Sequence, residues 1–206
     1  GTRALENGRP CVRTALGLHP ELATARRAEL DLFESYLADT AFVGEVGLDG
    51  STAQSSRQDQ LDVLEHVLTA CAQAGGKALS IHSRRAAGPV LEALRRHPDS
   101  GVPILHWFSG SMADLDQAID FGCWFSVGPA MLSSAKGRAL VSKMPRGRMV
   151  LESDAPFARV KVDPIHPWDL KTTAVTLAGI WDIPAWAVRT QLDENEREFS
   201  SSLNDV

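Results

Sequence analysis

The chain contains little cysteine, with only Cys11, Cys71 and Cys123 among its 206 residues. Three scattered cysteines are too few for a disulfide framework, and their spacing does not match a cysteine-based zinc site. A protein without a disulfide framework is typical of a reducing compartment. We therefore expect a cytoplasmic protein.

The sequence also lacks long apolar runs and a surplus of positive charge. No run approaches the roughly 18 residues that a membrane helix needs, so no membrane partner is expected. The net charge of −5 argues against a protein that coats nucleic acid through many phosphate contacts. It does not exclude an enzyme that grips a few phosphates. The length and the 44% hydrophobic content suit one globular domain, which we expect to span residues 1–206.

The pattern that is present is an alternation of strands and helices. Apolar residues recur at helical spacing between the apolar runs, as in the stretch 58–73. One helix is predicted over residues 22–37, and two more follow the last strand, near 167–180 and 184–203. Strands that alternate with helices imply a parallel sheet and the α/β class. The predicted strands are 11–17, 41–46, 77–82, 102–106, 123–127 and 147–152.

A side chain that can bind a metal stands at the end of four of these strands. Because the carboxyl ends of parallel strands emerge on one face of a sheet, we expect the four residues to converge. Two imidazoles and two carboxylates make a site for a divalent metal, and such a site predicts metal-assisted hydrolysis. The four residues are Glu45 in FVGEVGLD, His82 in ALSIHSR, His106 in PILHWFSG and Asp154 in MVLESDAP.

Each of these four residues also has a structural alternative. Glu45 would then be a salt-bridged glutamate, and His82 and His106 would be histidines of the core. Asp154 would cap a turn or a helix. The occurrence of all four at strand ends favours the metal site.

Three further residues are candidates for substrate binding. His19, in GLHP, either contacts a substrate phosphate or begins a turn. Arg84 lies two residues beyond His82. It either binds an anionic group of the substrate or begins a helix that faces the solvent. Trp107 either stacks on a base or belongs to the core.

The motifs GLHP, GEVGLD, IHSR, HWFSG, FSVG and ESDAP occur in the order found in the TatD-like deoxyribonucleases of the amidohydrolase superfamily. The chain resembles that family over about residues 15–156, and ENEREF resembles the family's C-terminal helix. The resemblance implies a (β/α)8 TIM barrel of the metallo-dependent hydrolase type. It also implies divalent metal ions, with Mg²⁺ or Mn²⁺ favoured over Zn²⁺.

The resemblance assigns roles to the candidate residues. Glu45 would bridge metal ions, and His82 and His106 would bind one of them. Asp154 would bind the other and orient the attacking water, which makes Glu45 and Asp154 the catalytic carboxylates. His19 and Arg84 match the family's phosphate-contacting positions.

The chain departs from the family pattern in several places. The family opens with an HxH pair on its first strand, which this sequence does not contain. Six predicted strands are also fewer than the eight of the barrel, so we expect that the first two βα units are missing from the sequence as given. Trp107 stands where the family usually has cysteine. The segments GLDGS and HWFSG resemble the branch found in bacterial Qat anti-phage operons.

The sequence is therefore interpreted as a metal-dependent phosphodiesterase that acts on DNA, as an exonuclease on single-stranded ends. A role in anti-phage defence, with protein partners from a defence operon, follows from the narrower resemblance. Two alternatives remain open: a small-molecule amidohydrolase of the same superfamily, and a non-catalytic subunit of a defence complex.

Overall fold

The computed structural model describes residues 12–160 and 162–202 of the chain. The chain divides into two compact units, with the boundary between Ile104 and Leu105. The single domain expected for residues 1–206 stays a prediction. No helix in the described ranges combines the length and apolar character that a membrane crossing requires.

The first unit alternates strands with helices. The strands lie in the order β1-β2-β3, and β1 pairs in parallel with β2. Single-turn 3₁₀ helices at Pro20–Leu22, Arg27–Glu29, Gln54–Ser56 and Pro98–Ser100 join the larger elements. These larger elements are α1 (Ala23–Arg26), α2 (Leu30–Leu37), β1 (Phe42–Gly47), α3 (Arg57–Gln73), β2 (Lys77–His82), α4 (Ala87–Arg96) and β3 (Gly101–His106), whose last two residues belong to the second unit.

The second unit follows the same pattern, with β4 and β5 paired in parallel. A short antiparallel hairpin, β6 and β7, follows β5. Short 3₁₀ helices occur at Arg146–Arg148 and Pro167–Leu170. The elements are α5 (Met112–Phe121), β4 (Trp124–Val127), α6 (Pro129–Leu132), α7 (Ala135–Val141), β5 (Met149–Leu151), β6 (Arg159–Val160), β7 (Asp163–Pro164), α8 (Lys171–Trp181) and α9 (Ala185–Ser202).

Each unit buries its own apolar side chains. In the first unit, the stripe of α3 predicted from its helical spacing is buried at Leu64, Leu68 and Cys71. In the second unit, the rings of Phe108 and Phe125 meet edge to face, with centroids 5.9 Å apart. Burial of such side chains is the main favourable contribution to folding.

Five of the six predicted strands are confirmed within two residues at each end, and the α/β pattern with them. The strand predicted at 11–17 is wrong over its described residues. Among these described residues, only Leu16 forms a bridge, which pairs it with Val43. Its N–H donates to the carbonyl of Phe42, and its carbonyl accepts from the N–H of Gly44. Cys11 lies outside the described residues.

The helix predicted over residues 22–37 is also corrected. It is broken into α1, a 3₁₀ turn and α2, because Arg26 has a φ of −128°, outside the helical range. The sequence prediction missed α6, α7 and the β6–β7 hairpin, all of which are short. The two C-terminal helices are confirmed as α8 and α9.

Candidate metal-binding clusters

The close approach of β1 to β2 positions the first candidate ligands. Gly47, the last residue of β1, has a φ of 140°, and a Cβ added there would lie 2.0 Å from the carbonyl oxygen of His82. Only glycine fits this position, since any side chain would collide with the backbone of β2. The same contact holds Glu45, two residues earlier, beside His82.

The first cluster consists of His19, Glu45 and His82. Oε1 of Glu45 lies 2.6 Å from Nδ1 of His82 and 3.9 Å from Nε2 of His19. The two imidazole rings meet edge to face, with centroids 4.9 Å apart. The structure therefore brings together Glu45 and His82, predicted as ligands, and His19, predicted as a phosphate contact.

Asp49 completes the surroundings of His82 and was not identified from the sequence. It is only 1% exposed, and its Oδ2 lies 2.9 Å from Nε2 of His82. The backbone N–H and the hydroxyl of Ser51 donate to its Oδ1. The signal in the sequence was a carboxylate four residues beyond Glu45, in the motif GEVGLD, but an aspartate after a strand is also an ordinary turn residue.

Asp49 and His82 shift each other's pKa, and Glu45 contributes to the shift of His82. Burial would lower the pKa of His82, but hydrogen bonds to Glu45 and Asp49 and their negative charges outweigh burial and raise it. Burial would raise the pKa of Asp49, but hydrogen bonds from Ser51 and His82 lower it overall. Asp49 is therefore an ionised acceptor, and Nε2 of His82 is the donor.

The two substrate-binding candidates of the first unit differ in their surroundings. Nδ1 of His19 accepts a hydrogen bond from the backbone N–H of Glu21 at 3.3 Å. In a neutral imidazole the other nitrogen then carries the proton, so Nε2 of His19 is a donor rather than a metal ligand. Arg84 is exposed, and its carbonyl accepts from the N–H of Gly50, which ties the loop after β2 to the loop after β1.

The second cluster lies in the second unit and consists of His106, Glu152 and Asp154. Nε2 of His106 lies 3.5 Å from Oδ1 of Asp154, and its Nδ1 donates to Oε2 of Glu152. The hydroxyl of Ser126, on β4, donates to the same oxygen of Glu152. A Cβ on Gly128 would lie 2.6 Å from the carbonyl oxygen of Glu152, so this glycine allows β4 and the end of β5 to approach. The sequence prediction missed Glu152 and Ser126.

Asp154 stands at the start of a tight turn. Its φ is 49°, and its carbonyl accepts hydrogen bonds from the N–H groups of Phe157 and Ala158. Trp107, predicted to bind substrate, is half-buried and packs on the apolar side chains of Ala158 and Ile165. These contacts match the core alternative for Trp107, and its role in substrate binding stays a prediction.

A family model described as TatD related DNase matches residues 2–201 of the chain. The chain belongs to the TatD-related DNase family. The match covers both clusters and every candidate site residue, which agrees with the resemblance seen in the motifs.

Two curated relatives illustrate the similarity within the TatD family. The human protein named deoxyribonuclease TATDN3 is 28% identical over 182 residues, which cover 83% of this chain and 66% of that protein. The Edwardsiella piscicida protein named 3'-5' ssDNA/RNA exonuclease TatD is 32% identical over 158 residues, which cover 71% of this chain and 58% of that protein. The chain thus spans less than two thirds of the length of either relative.

Among solved structures, the chain resembles the TatD homologue YjjV of Escherichia coli K12. The TM-score is 0.84 at 24% identity, and the likeness covers 98% of this chain and 80% of that one. This likeness shows the fold, and it confirms the predicted fold class, the barrel type of α/β fold found in metallo-dependent hydrolases.

The residues of this TatD-family chain fit a divalent metal. Glu45 and His82 each offer one ligand atom, Oε1 and Nδ1, and these atoms lie 2.6 Å apart, with His19 beside them as a hydrogen-bond donor. Because Nε2 of His82 donates a hydrogen bond to Asp49, Nδ1 of His82 is the nitrogen that would face a metal beside Glu45. A ligating histidine whose second nitrogen bonds a carboxylate is the usual arrangement in metal sites.

Each unit thus brings two of the four predicted ligands together: Glu45 with His82, and His106 with Asp154. In both pairs the histidine also bonds a second carboxylate, Asp49 or Glu152. The convergence of all four residues on one site stays a prediction.

Proposed function

We propose that this protein is a metal-dependent phosphodiesterase that hydrolyses DNA, as an exonuclease on single-stranded ends. The observation that carries the proposal is the pairing of each predicted ligand histidine with two carboxylates. Such a mixed set of nitrogen and oxygen donors is typical of divalent-metal hydrolases. The name of the Edwardsiella piscicida relative, an exonuclease for single-stranded DNA and RNA, supports the choice of substrate.

The residues proposed to hold the metal are Glu45, His82, His106 and Asp154. A bound divalent ion would polarise the phosphoryl oxygens and lower the pKa of a bound water. Oxygen-rich donor sets favour Mg²⁺ or Mn²⁺, while the two imidazoles also suit Zn²⁺. The proposed metal is Mg²⁺ or Mn²⁺.

The protein's own residues then have distinct tasks. Asp154 serves as general base and takes the proton of the attacking water. His19 offers the N–H of its Nε2 to a phosphate oxygen, which agrees with the acceptor role of its Nδ1. Arg84 is exposed, and its planar guanidinium suits a second phosphate oxygen. A site at the end of a barrel receives a strand terminus more readily than the middle of a duplex, which favours exonuclease action.

The proposal also includes the biological role, the protein partners and the cellular location. A role in anti-phage defence and partners from a defence operon rest on the likeness of GLDGS and HWFSG to the Qat branch. A cytoplasmic location rests on the scarcity of cysteine.

Digestion of end-labelled oligonucleotides tests this function. The full-length protein is incubated with single-stranded DNA, duplex DNA or single-stranded RNA in Mg²⁺ or Mn²⁺, with EDTA as the control. The proposal predicts stepwise shortening of single-stranded DNA that EDTA stops. Hydrolysis of small cyclic amides without DNA cleavage would instead favour the amidohydrolase alternative. No hydrolysis of either class by metal-loaded protein would favour the non-catalytic subunit.

A further inference from the structure

The segment that follows Asp154 exposes large aromatic side chains. Phe157 is 82% exposed and Trp168 is 69% exposed, and they flank the β6–β7 hairpin. Isolated exposed hydrophobic residues are ordinary on a protein surface. Two exposed aromatic rings within twelve residues of each other, directly after a predicted catalytic carboxylate, call for a functional explanation.

The backbone around these rings is anchored within the second unit. The N–H of Phe157 donates to the carbonyl of Asp154 at 2.8 Å, which places Phe157 on the same turn as the proposed base. The hairpin is held by the buried side chains of Ala158 and Ile165, which pack with Ala130 and with the half-buried Trp107. The ring of Phe157 is therefore presented by a folded support next to Asp154, and Trp168 follows the same hairpin.

Trp168 already has one ring stacked on it. The imidazole of His166 lies nearly parallel to the indole, at 19°, with ring centroids 4.5 Å apart. The carboxylate of Asp169 accepts from the backbone N–H of His166 at 2.8 Å and fixes the start of the 3₁₀ helix that carries Trp168. Such a preorganised flat surface loses little conformational freedom when another ring stacks on it.

We infer that Phe157, His166 and Trp168 form a stacking surface for the bases of single-stranded nucleic acid beside Asp154. Base–aromatic stacking does not depend on sequence, because every base has a π-face. Arg159, exposed and two residues beyond Phe157, supplies positive charge for a backbone phosphate. The inference rests on the proposed function and adds to it a base-binding subsite outside the metal ligands.

Binding of a labelled oligothymidylate in EDTA tests this subsite, since no cleavage occurs without metal. Fluorescence anisotropy gives the dissociation constant of the full-length protein and of Phe157→Ala, Trp168→Ala and Trp168→Phe. Trp186→Ala is the matched control, because Trp186 is an equally exposed tryptophan (71%) on α9. An abasic oligonucleotide of the same length serves as the second probe, since it keeps the phosphates and lacks the bases.

The stacking surface predicts a rise in Kd of about 5- to 100-fold for Phe157→Ala and for Trp168→Ala with oligothymidylate. Trp168→Phe should keep most of the affinity, and Trp186→Ala should bind like the unmodified protein. With the abasic probe all variants should bind equally. The slope of log Kd against log salt should not change, because no phosphate contact is removed.

Two results would overturn the inference while leaving the proposed function in place. One is unchanged oligothymidylate binding by both alanine variants of a protein that still digests DNA ends. The other is concentration-dependent self-association in sedimentation that the same variants abolish, which would make the surface a contact between copies.

Hydrolysis of bis(p-nitrophenyl) phosphate, a phosphodiester without bases, separates the two proposals. It should be the same in Trp186→Ala as in the unmodified protein, and its absence from the unmodified protein would count against the proposed function itself.

Discussion

Asp49 accepts a hydrogen bond from Nε2 of His82 at 2.9 Å, at the ring nitrogen that does not face Glu45. Asp49 is almost completely buried and is itself held by the N–H and hydroxyl of Ser51. This chain of hydrogen bonds fixes the rotation and the protonated nitrogen of His82. Such a carboxylate controls how well a histidine serves a metal without touching the metal itself.

Removal of that carboxylate should weaken metal binding. Asp49→Asn keeps the size of the side chain but removes the charge that holds the proton on Nε2, so the affinity for Mn²⁺ should fall by about 10- to 100-fold. Calorimetric titration measures the affinity, and Asp99→Asn, at an exposed aspartate, is the control. An unchanged dissociation constant for Asp49→Asn would show that His82 needs no orienting carboxylate.

The second histidine offers a parallel prediction. Glu152 accepts from both His106 and Ser126, so Glu152→Gln should lower Mn²⁺ affinity by about tenfold. Ser126→Ala should have a smaller effect in the same direction, because the carboxylate remains. The same titration checks both variants. Equal affinities for Glu152→Gln and the unmodified protein would assign Glu152 a purely structural role.

The fold was largely predictable because its signals are local. The runs at β1 to β5 are apolar and each ends in a recognisable turn, and the stripe of α3 has a clear helical period. The strand at residues 11–17 looked the same, yet only Leu16 pairs with β1. Strand pairing requires that backbone N–H and carbonyl groups meet partners on a neighbouring strand. The apolar composition of a segment does not indicate whether they do. Short elements such as α6 and the β6–β7 hairpin contain too few residues for a period to show.

The candidate site was predictable only for residues at strand ends. Glu45, His82, His106 and Asp154 all lie within three residues of the carboxyl end of a strand, and the structure pairs them within each unit. The orienting carboxylates were missed because their significance lies in burial and in a partner far along the chain. Glu152 contacts His106 across 46 residues, and no spacing rule connects them.

An ion-pair network predicts how stability depends on pH. Burial would raise the pKa of Glu65, but hydrogen bonds from Arg96 and His97 and the charges of both lower it overall. The stabilisation from a carboxyl with a lowered pKa is complete above its ordinary value of 4.5 and is lost as the pH falls through the folded value. Glu65→Gln should therefore cost about 0.5–1 kcal/mol at neutral pH and weaken the pH dependence in acid.

Urea unfolding at neutral and acidic pH measures this effect. Glu196→Gln, at an exposed position on α9, is the matched control and should change neither the stability nor its pH dependence. The quantity to compare is the difference in free energy of unfolding between Glu65→Gln and the unmodified protein. If this difference were as large at pH 3 as at pH 7, the network would not be the source of the acid sensitivity.

A buried asparagine links α9 to β5. The side-chain amide of Asn195 donates to the carbonyls of Arg146 and Met149, both at 2.7 Å, and Asn195 is buried. Asn195→Ala leaves these carbonyls without that donor and should lower the free energy of unfolding by about 1–3 kcal/mol. Urea denaturation checks this, with Glu194→Ala at the exposed neighbour as the control. A loss no larger than that of Glu194→Ala would show that the amide is replaceable.

The kinetics of Asp154→Asn on single-stranded DNA test the proposed mechanism most directly. The substitution removes the proposed base and a proposed metal ligand but leaves His19 and Arg84, so kcat should fall by at least about 100-fold. DNA affinity in EDTA should stay within a few-fold of the unmodified protein. Arg84→Ala should instead raise KM and spare kcat, if its phosphate contact is equally strong before and during the reaction. Near-normal turnover by metal-loaded Asp154→Asn would contradict the assignment of Asp154 as the base.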